Sequence, residues 1–373
     1  MDARAIFSVN INRYLYKLRY TFVTVTMYRV IDLFAGCGGL ALGFKMAGFD
    51  IVAGFDINDY AIRTYNENIG RAFKVDLSKA TADKLLDLAK ASRVDGVIGG
   101  PPCEGFSLAN IRRKVGDPRN MLVFKFAELV GEIQPDFFVM ENVVGLTNLG
   151  GGFFVQRLEE MFKKAGYNVK WGILDAAWYG VPQHRRRVIF IGIKPDIGKP
   201  ELPRPTHFPR GSFGPKYYVT VWEAISDLPE PTEDGVIEFT TEPMNEYQKW
   251  VRNGAKRTTS HFKTHHSPEI VERLKRLKFG EPLYPNFKHS WVRLNPYEPA
   301  PTFKENHNAP AVHPFHPRVI TPREGARLQS FPDTYEFAGS KSHQLVLIGD
   351  AVPPLMARAI AGKIKEILDG KGG

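Results

Sequence analysis

Between residues 30 and 195, short apolar runs alternate with stretches whose apolar residues recur at helical spacing. Val30-Ile31-Asp32-Leu33, Val94-Asp95-Gly96-Val97-Ile98, Phe137-Phe138-Val139-Met140 and Val188-Ile189-Phe190-Ile191-Gly192 have the length and apolar character of buried strands. The stretches 121–133 and 154–165 instead carry the 3.6-residue period of amphipathic helices. Strands alternating with helices predict a doubly wound parallel α/β sheet. From about residue 195 the pattern breaks into proline-rich, irregular sequence, including 200–215, before a last helical stretch over 354–368.

Charge sharpens this division. Residues 223–246 hold eight acids and no Lys or Arg, whereas 249–293 hold eleven Lys and Arg against three Glu. With Trp250, Tyr284 and Trp291 interleaved, the second stretch reads as a DNA-facing lobe. An ordinary solvated helix around 273–278 accounts for the same basic residues equally well. A net charge of +10 suits a polyanionic partner without requiring one. The 373 residues suffice for one large core and a smaller domain. No run approaches the ~20 consecutive apolar residues of a membrane span, so no membrane partner is expected. Two cysteines exclude a disulfide framework and a cysteine-rich zinc site, and suit a reducing interior. His261, His265 and His266 lack the Cys and acid partners of a zinc site, so no metal is expected.

Candidate chemistry gathers at the strand ends. Gly99-Gly100-Pro101-Pro102-Cys103 follows a buried strand, and its stiffened loop presents a nucleophilic thiol at the carboxyl edge of the sheet. Gly36, Gly38 and Gly39 in Asp32-Leu33-Phe34-Ala35-Gly36-Cys37-Gly38-Gly39 let backbone approach a ligand at a helix amino end. Asp56 and Asp76 close later strands, where an acid accepts from ribose hydroxyls or, alternatively, caps a helix. Glu141 and Asn142 end a further strand, and Gln183-His184-Arg185-Arg186-Arg187 opens another. Alternation along an extended segment puts Arg185 and Arg187 on one face and Arg186 on the other.

Taken in order, the DLFAGCGGL, GGPPCEGFS, ENV and QHRRR blocks resemble those of cytosine carbon-5 DNA methyltransferases of the prokaryotic modification type. The resemblance continues through RVITPREGARLQSFPD at 318–333 and GDAVPP at 349–354, covering roughly 28–200 and 290–365. It implies the doubly wound mixed sheet of S-adenosylmethionine-dependent, Rossmann-like methyltransferases with a smaller inserted target-recognition domain. The expected division is an extension over 1–27, a catalytic domain over 28–200, target recognition over 201–310 and a closing segment over 311–373. Met27 lies where family members usually begin, so 1–26 are expected to be dispensable.

The implied reaction is covalent. Cys103 attacks carbon 6 of a cytosine flipped out of double-stranded DNA, Glu141 serves ring nitrogen 3, and Arg185 contacts the carbonyl oxygen. Arg187 supports that loop, and Asn142 organises the catalytic loop rather than reacting. The methyl group comes from S-adenosyl-L-methionine, with contacts implied from Asp32, Phe34, Gly36, Gly38, Gly39, Asp56, Ile57, Asp76, Pro101, Asp350 and Ala351. Asp56 is matched to the ribose hydroxyls and Asp76 to the adenine amino group. A monomer in the prokaryotic cytoplasm is implied, acting beside a cognate restriction endonuclease or in host DNA modification.

Two positions depart from the family pattern. Glu104 stands where Gln is common, and Asp350 where Asn is usual. Neither removes a reactive group. A transfer RNA methyltransferase is the main alternative, but such enzymes carry a Cys-Phe-Thr tripeptide and no cysteine follows Cys103. An amino-group methyltransferase would carry Pro-Pro-Tyr or Pro-Pro-Phe, and a non-catalytic DNA-binding relative would be expected to have lost Cys103, Glu141 or Arg185.

Overall fold

The computed structural model describes residues 27–102, 121–286, 291–303 and 311–370; the 1–26 extension and the loop holding Cys103 and Glu104 lie outside the described residues. Seven strands form the main sheet: β1 (Arg29–Leu33), β2 (Asp50–Asp56), β3 (Ala72–Lys74), β4 (Gly96–Gly99), β5 (Phe137–Val143), β6 (Asn168–Asp175) and β7 (Arg186–Ile193). Their order is β3-β2-β1-β4-β5-β7-β6. The first five pair in parallel, whereas β7 runs antiparallel to both β5 and β6. The sheet is mixed, as the resemblance implied, where the alternation alone pointed to a parallel one. Between β6 and β7 there is only a short 3-10 turn, Ala176–Tyr179, and without a crossover helix the two strands must return antiparallel.

Helices cover both faces: α1 (Gly39–Met46), α2 (Asp59–Asn68), α3 (Ala82–Ala89), α4 (Leu122–Ile133) and α5 (Phe153–Lys164). The two predicted helices at 121–133 and 154–165 are thus α4 and α5. Successive residues of β5 serve opposite cores: Phe137 and Val139 join one with α1, Phe138 and Met140 the other with α4 and α5. Because both faces are buried, the strands read as continuous apolar runs.

The inserted stretch carries α6 (Val221–Ile225), the antiparallel pair β8 (Ile237–Glu238) and β9 (Arg257–Thr258) with α7 (Glu246–Arg252) between them, and α8 (Pro268–Arg276). The chain returns through α9 (Pro322–Leu328), α10 (Lys341–Asp350) and α11 (Pro354–Leu368). A side chain at Gly43 of α1 would collide with Ala357, so the first and last helices touch backbone to backbone. By length and composition Lys341–Leu368 is apolar enough to cross a membrane, which the expectation from uninterrupted runs had passed over. Most of that stretch is buried inside the protein, and it breaks at Ala351-Val352-Pro353 between two helices. Its apolarity is that of a core element.

A charged network joins the insertion to the returning chain. Arg327 of α9, fully buried, pairs with Asp227 and with Asp333, at 2.7 Å in the second case. Asp227 also accepts from Arg252 Nε at 2.6 Å. Leucine at Arg327 would leave two buried carboxylates short of their shared cation. Removing one member of such a pair costs about 3–5 kcal/mol. Denaturant unfolding of Arg327→Leu is expected to show a loss of that size; an unchanged midpoint would refute it.

Candidate active site

The glycine turn is fastened to the sheet edge by Asp56. Asp56 Oδ2 accepts from the Gly36 amide at 2.8 Å, and its Oδ1 from the Asn58 amide at 2.9 Å. Gly36 and Gly38 have φ of 53° and 87°, and Phe34 holds φ of 55°, a strained value for a residue with a side chain. A Cβ at Gly39 would strike the Val352 carbonyl, so the GDAVPP block closes directly on this turn. Cys37 is buried beneath it with Sγ 3.3 Å from the Leu347 carbonyl, and burial, with Asp350 adding, pushes the thiol up.

The three acids differ in what they do. Asp76 Oδ1 accepts from the Ser78 amide and hydroxyl, at 3.1 and 2.6 Å, and caps the 3-10 turn Leu77–Lys79. The capping alternative therefore holds for Asp76, whose Ser78 hydrogen bond also lowers its pKa. Asp56 does not cap α2; Asn58 does, accepting from Tyr60 and Ala61. Burial pushes the Asp56 carboxyl up, and the backbone amides that bond to it draw it back only in part. Asp32 is 1% exposed, and among the described residues the Tyr65 hydroxyl is the one hydrogen-bonding group that interacts with its carboxyl, without a well-aligned hydrogen bond. Burial, then the charge of Asp56, pushes its pKa well up.

Glu141 and Arg187 meet because of strand register. Glu141 lies opposite Ile189, and Arg187 opposite Val143, so the two side chains are diagonal neighbours on one face. Arg187 Nε approaches Glu141 Oε1 at 2.8 Å, with both side chains about one-tenth exposed. Burial pushes the Glu141 carboxyl up, and Arg187 and then Arg185 draw it back only in part. A Cβ at Gly100 would lie 3.1 Å from Glu141 Oε2, so the glycine admits the carboxyl. Arg185 is buried and donates to the Phe303 carbonyl at 3.2 Å, while Arg186 is exposed, as alternation predicts. Asn142 Nδ2 donates to the Pro101 carbonyl at 3.0 Å, two residues before Cys103.

One cavity of about 1320 Å³ collects these groups. Asp32, Phe34, Gly36, Gly39, Asp56, Ile57, Asp76, Asp350 and Ala351 line it, as do Pro101, Glu141, Arg185 and Arg187. Gly38 and Asn142 do not line it. Sequence reasoning passed over Asp175, which accepts from the Arg185 amide at 3.0 Å and pairs with His184 at 3.0 Å. It named Gln183 in the QHRRR block but gave it no role; the residue is fully buried, and its Oε1 accepts from the Phe303 amide at 3.3 Å. An acid at a strand end, the signal used for Asp56, would have found Asp175.

The basic stretch partly resolves into packing. Tyr284 and Trp291 pack beside Leu274, Leu283 and Val312, with Arg273 over the Tyr284 ring at 5.0 Å, and Trp250 flanks another apolar cluster. His261 is buried between Thr321 and the Pro229 carbonyl. Among the described residues no group of His, Cys, Asp and Glu could hold a metal.

A glycine turn at a helix amino end, acids at strand ends and a Glu–Arg pair thus meet at one cavity of a doubly wound sheet. Residues 28–366 match the C-5 cytosine-specific DNA methylase family, and the chain belongs to it. It is 38% identical to type II methyltransferase M.DdeI of Desulfomicrobium norvegicum, over 90% of this chain and 88% of that one. Type II methyltransferase M.XorII of Xanthomonas oryzae pv. oryzae is 35% identical, over 91% and 85% respectively. A solved DNA modification methyltransferase encoded within an E. coli prophage superposes with a TM-score of 0.80 at 30% identity, covering 92% of this chain and 99% of that one.

Proposed function

We propose that this family member carries out its cytosine-5 methylation by covalent catalysis at Cys103, on a base extruded from double-stranded DNA, with S-adenosyl-L-methionine as donor. The observation that carries this is the Glu141–Arg187 pair beside Arg185, buried at the cavity that Asp32 and Asp56 also line. The residues suit the donor. A buried Asp32 carboxyl with no well-aligned hydrogen bond among the described residues has room for a cationic or hydrogen-bonding group, and Gly36 has no described neighbour within 4 Å of where a Cβ would stand. Ile57, 62% exposed at the cavity edge, offers an apolar face to a purine.

In this mechanism Cys103 Sγ, as thiolate, bonds to carbon 6 while Glu141 gives its proton to nitrogen 3, leaving the electron pair at carbon 5. Arg185 holds the carbonyl oxygen, and Arg187 holds Glu141 in place. When bound, the donor would supply an electrophilic methyl on a sulfonium whose leaving group is a neutral thioether. Solvent then takes the carbon-5 proton, the thiolate is expelled, and nitrogen 3 returns its proton to Glu141. Asn142 supports the loop through Pro101. Residues 201–310 would carry target recognition, and the type II names of the relatives support a cognate endonuclease as partner.

Bisulfite sequencing of a plasmid from a host without cytosine methylation tests the reading. Protected cytosines at one recurring short sequence are expected. Unprotected DNA with methylated host RNA would overturn it. The donor site has its own test in Asp56→Ala. Hydrogen bonds to a charged group are worth about 1.5–3 kcal/mol, so the Kd for S-adenosylmethionine should rise roughly 10- to 150-fold in calorimetry. An unchanged Kd would remove Asp56 from the donor site.

A further inference from the structure

The extended segment ahead of and into β7 sorts four basic side chains by parity. Arg185 and Arg187 turn inward to Glu141, whereas His184 and Arg186 are exposed and still line the cavity. The outward pair is anchored on its own. His184 donates its backbone amide to Ala300 at 2.8 Å and its carbonyl accepts from Thr302 Oγ1 at 2.7 Å, so the segment is clamped from both sides. The His184 ring is fixed through Nδ1 on Asp175 at 3.0 Å and stands edge-on to Tyr218. This leaves Nε2 as its second polar atom. Arg186 lies in register with Asp175, yet among the described residues its guanidinium has no side-chain partner.

We propose that His184 and Arg186 form a clamp for the DNA phosphates flanking the extruded cytosine, while Arg185 and Arg187 serve the base itself. The proposal rests on the reading of the site as one for an extruded base. One strand thus separates two tasks by the alternation of its side chains. Inward residues meet a ring and a carboxyl in a buried pocket. Outward residues meet the sugar–phosphate backbone at the rim, where phosphate contacts position rather than specify. A cation held at the rim by packing and hydrogen bonds loses little freedom when it binds. The Asp175 hydrogen bond raises the His184 pKa against its partial burial, and Glu298 adds to the rise; Tyr218, the other titratable group against the ring, is raised by its own burial. A raised pKa in a base extends the charged form to higher pH, so the histidine's share of the clamp is present at low pH and fades as pH rises through that value.

Salt dependence reads the clamp directly, because each phosphate contact contributes about 0.9 to the slope of log K against log salt. Duplex binding of Arg186→Gln, His184→Gln and Arg186→Lys should be measured by fluorescence anisotropy at several salt concentrations, at pH 6 and pH 8. Arg186→Gln is expected to lower the slope by about 0.9 at both pH values, and Arg186→Lys to restore it. His184→Gln should lower it at pH 6 and less at pH 8. KM for DNA should rise, with single-turnover methyl transfer at saturating DNA within about threefold of the parent. Unchanged slopes in both glutamine variants would overturn the clamp, as would a collapse of single-turnover rate with DNA binding intact. A parent chain that binds duplex DNA but methylates nothing would refute the reaction and not the clamp, whose salt slopes are read from binding.

Discussion

Alanine at Cys103 is expected to abolish methyl transfer to DNA while leaving S-adenosylmethionine binding intact. Carbon 5 of cytosine is a weak nucleophile until a group adds at carbon 6, so the whole acceleration of that step depends on one thiolate. The chain's other thiol cannot take over. Cys37 is buried under the glycine turn, engaged with the Leu347 carbonyl, and pushed up by burial. A thiol held neutral is a poor nucleophile. Single-turnover assays with labelled donor should therefore show no transfer above background in Cys103→Ala, with donor affinity unchanged in calorimetry. A stable Cys103→Ala protein that methylated DNA at the parent rate would sink the covalent mechanism.

Glutamine at Glu141 should slow the reaction by roughly 10²- to 10⁴-fold, the range of a positioned proton donor. The substitution keeps the shape beside Gly100 and a hydrogen-bond acceptor for Arg187, but removes the transferable proton. The pH profile separates this from a packing defect. Burial raises the Glu141 pKa, so its neutral form survives to higher pH than an ordinary glutamate, and kcat/KM should fall as pH rises through that value. In Glu141→Gln that alkaline limb should vanish while the slow residual rate persists. A limb that survived the substitution would assign the titration to another group.

Much of this site was legible because catalytic residues sit where strands end, and strand ends are marked by a break in apolar character. Phe137–Val143 declares both the buried strand and the polar pair that stops it, and Arg185 and Arg187 declare their shared face by parity. Ion pairs across strands were less visible. The Glu141–Arg187 contact depends on β7 lying antiparallel to β5, and nothing in either segment states that register. Asp175 was hidden for a related reason: it acts through neighbours nine and ten residues away, across a tight return. The aromatic residues of the basic stretch said less than they seemed to. Tyr284 and Trp291, interleaved among basic residues in the sequence, are half-buried against a small apolar cluster. Composition reports which side chains a segment owns, and only the fold decides whether they face water.

The contact between α1 and α11 bears on how the polypeptide comes into being. The face of the sheet that these helices cover gains its last layer only when Pro354–Leu368 arrives, about 160 residues after β7 ends at Ile193. At about 5–20 residues per second, a ribosome leaves that apolar face open for roughly 8–30 s. Met356, Ile360 and Ile364 must then find Phe44 and its neighbours across almost the whole sequence, a separation that slows folding. Nascent chains stalled before residue 354 should accordingly be bound by holding chaperones, and chains released beyond 368 should not.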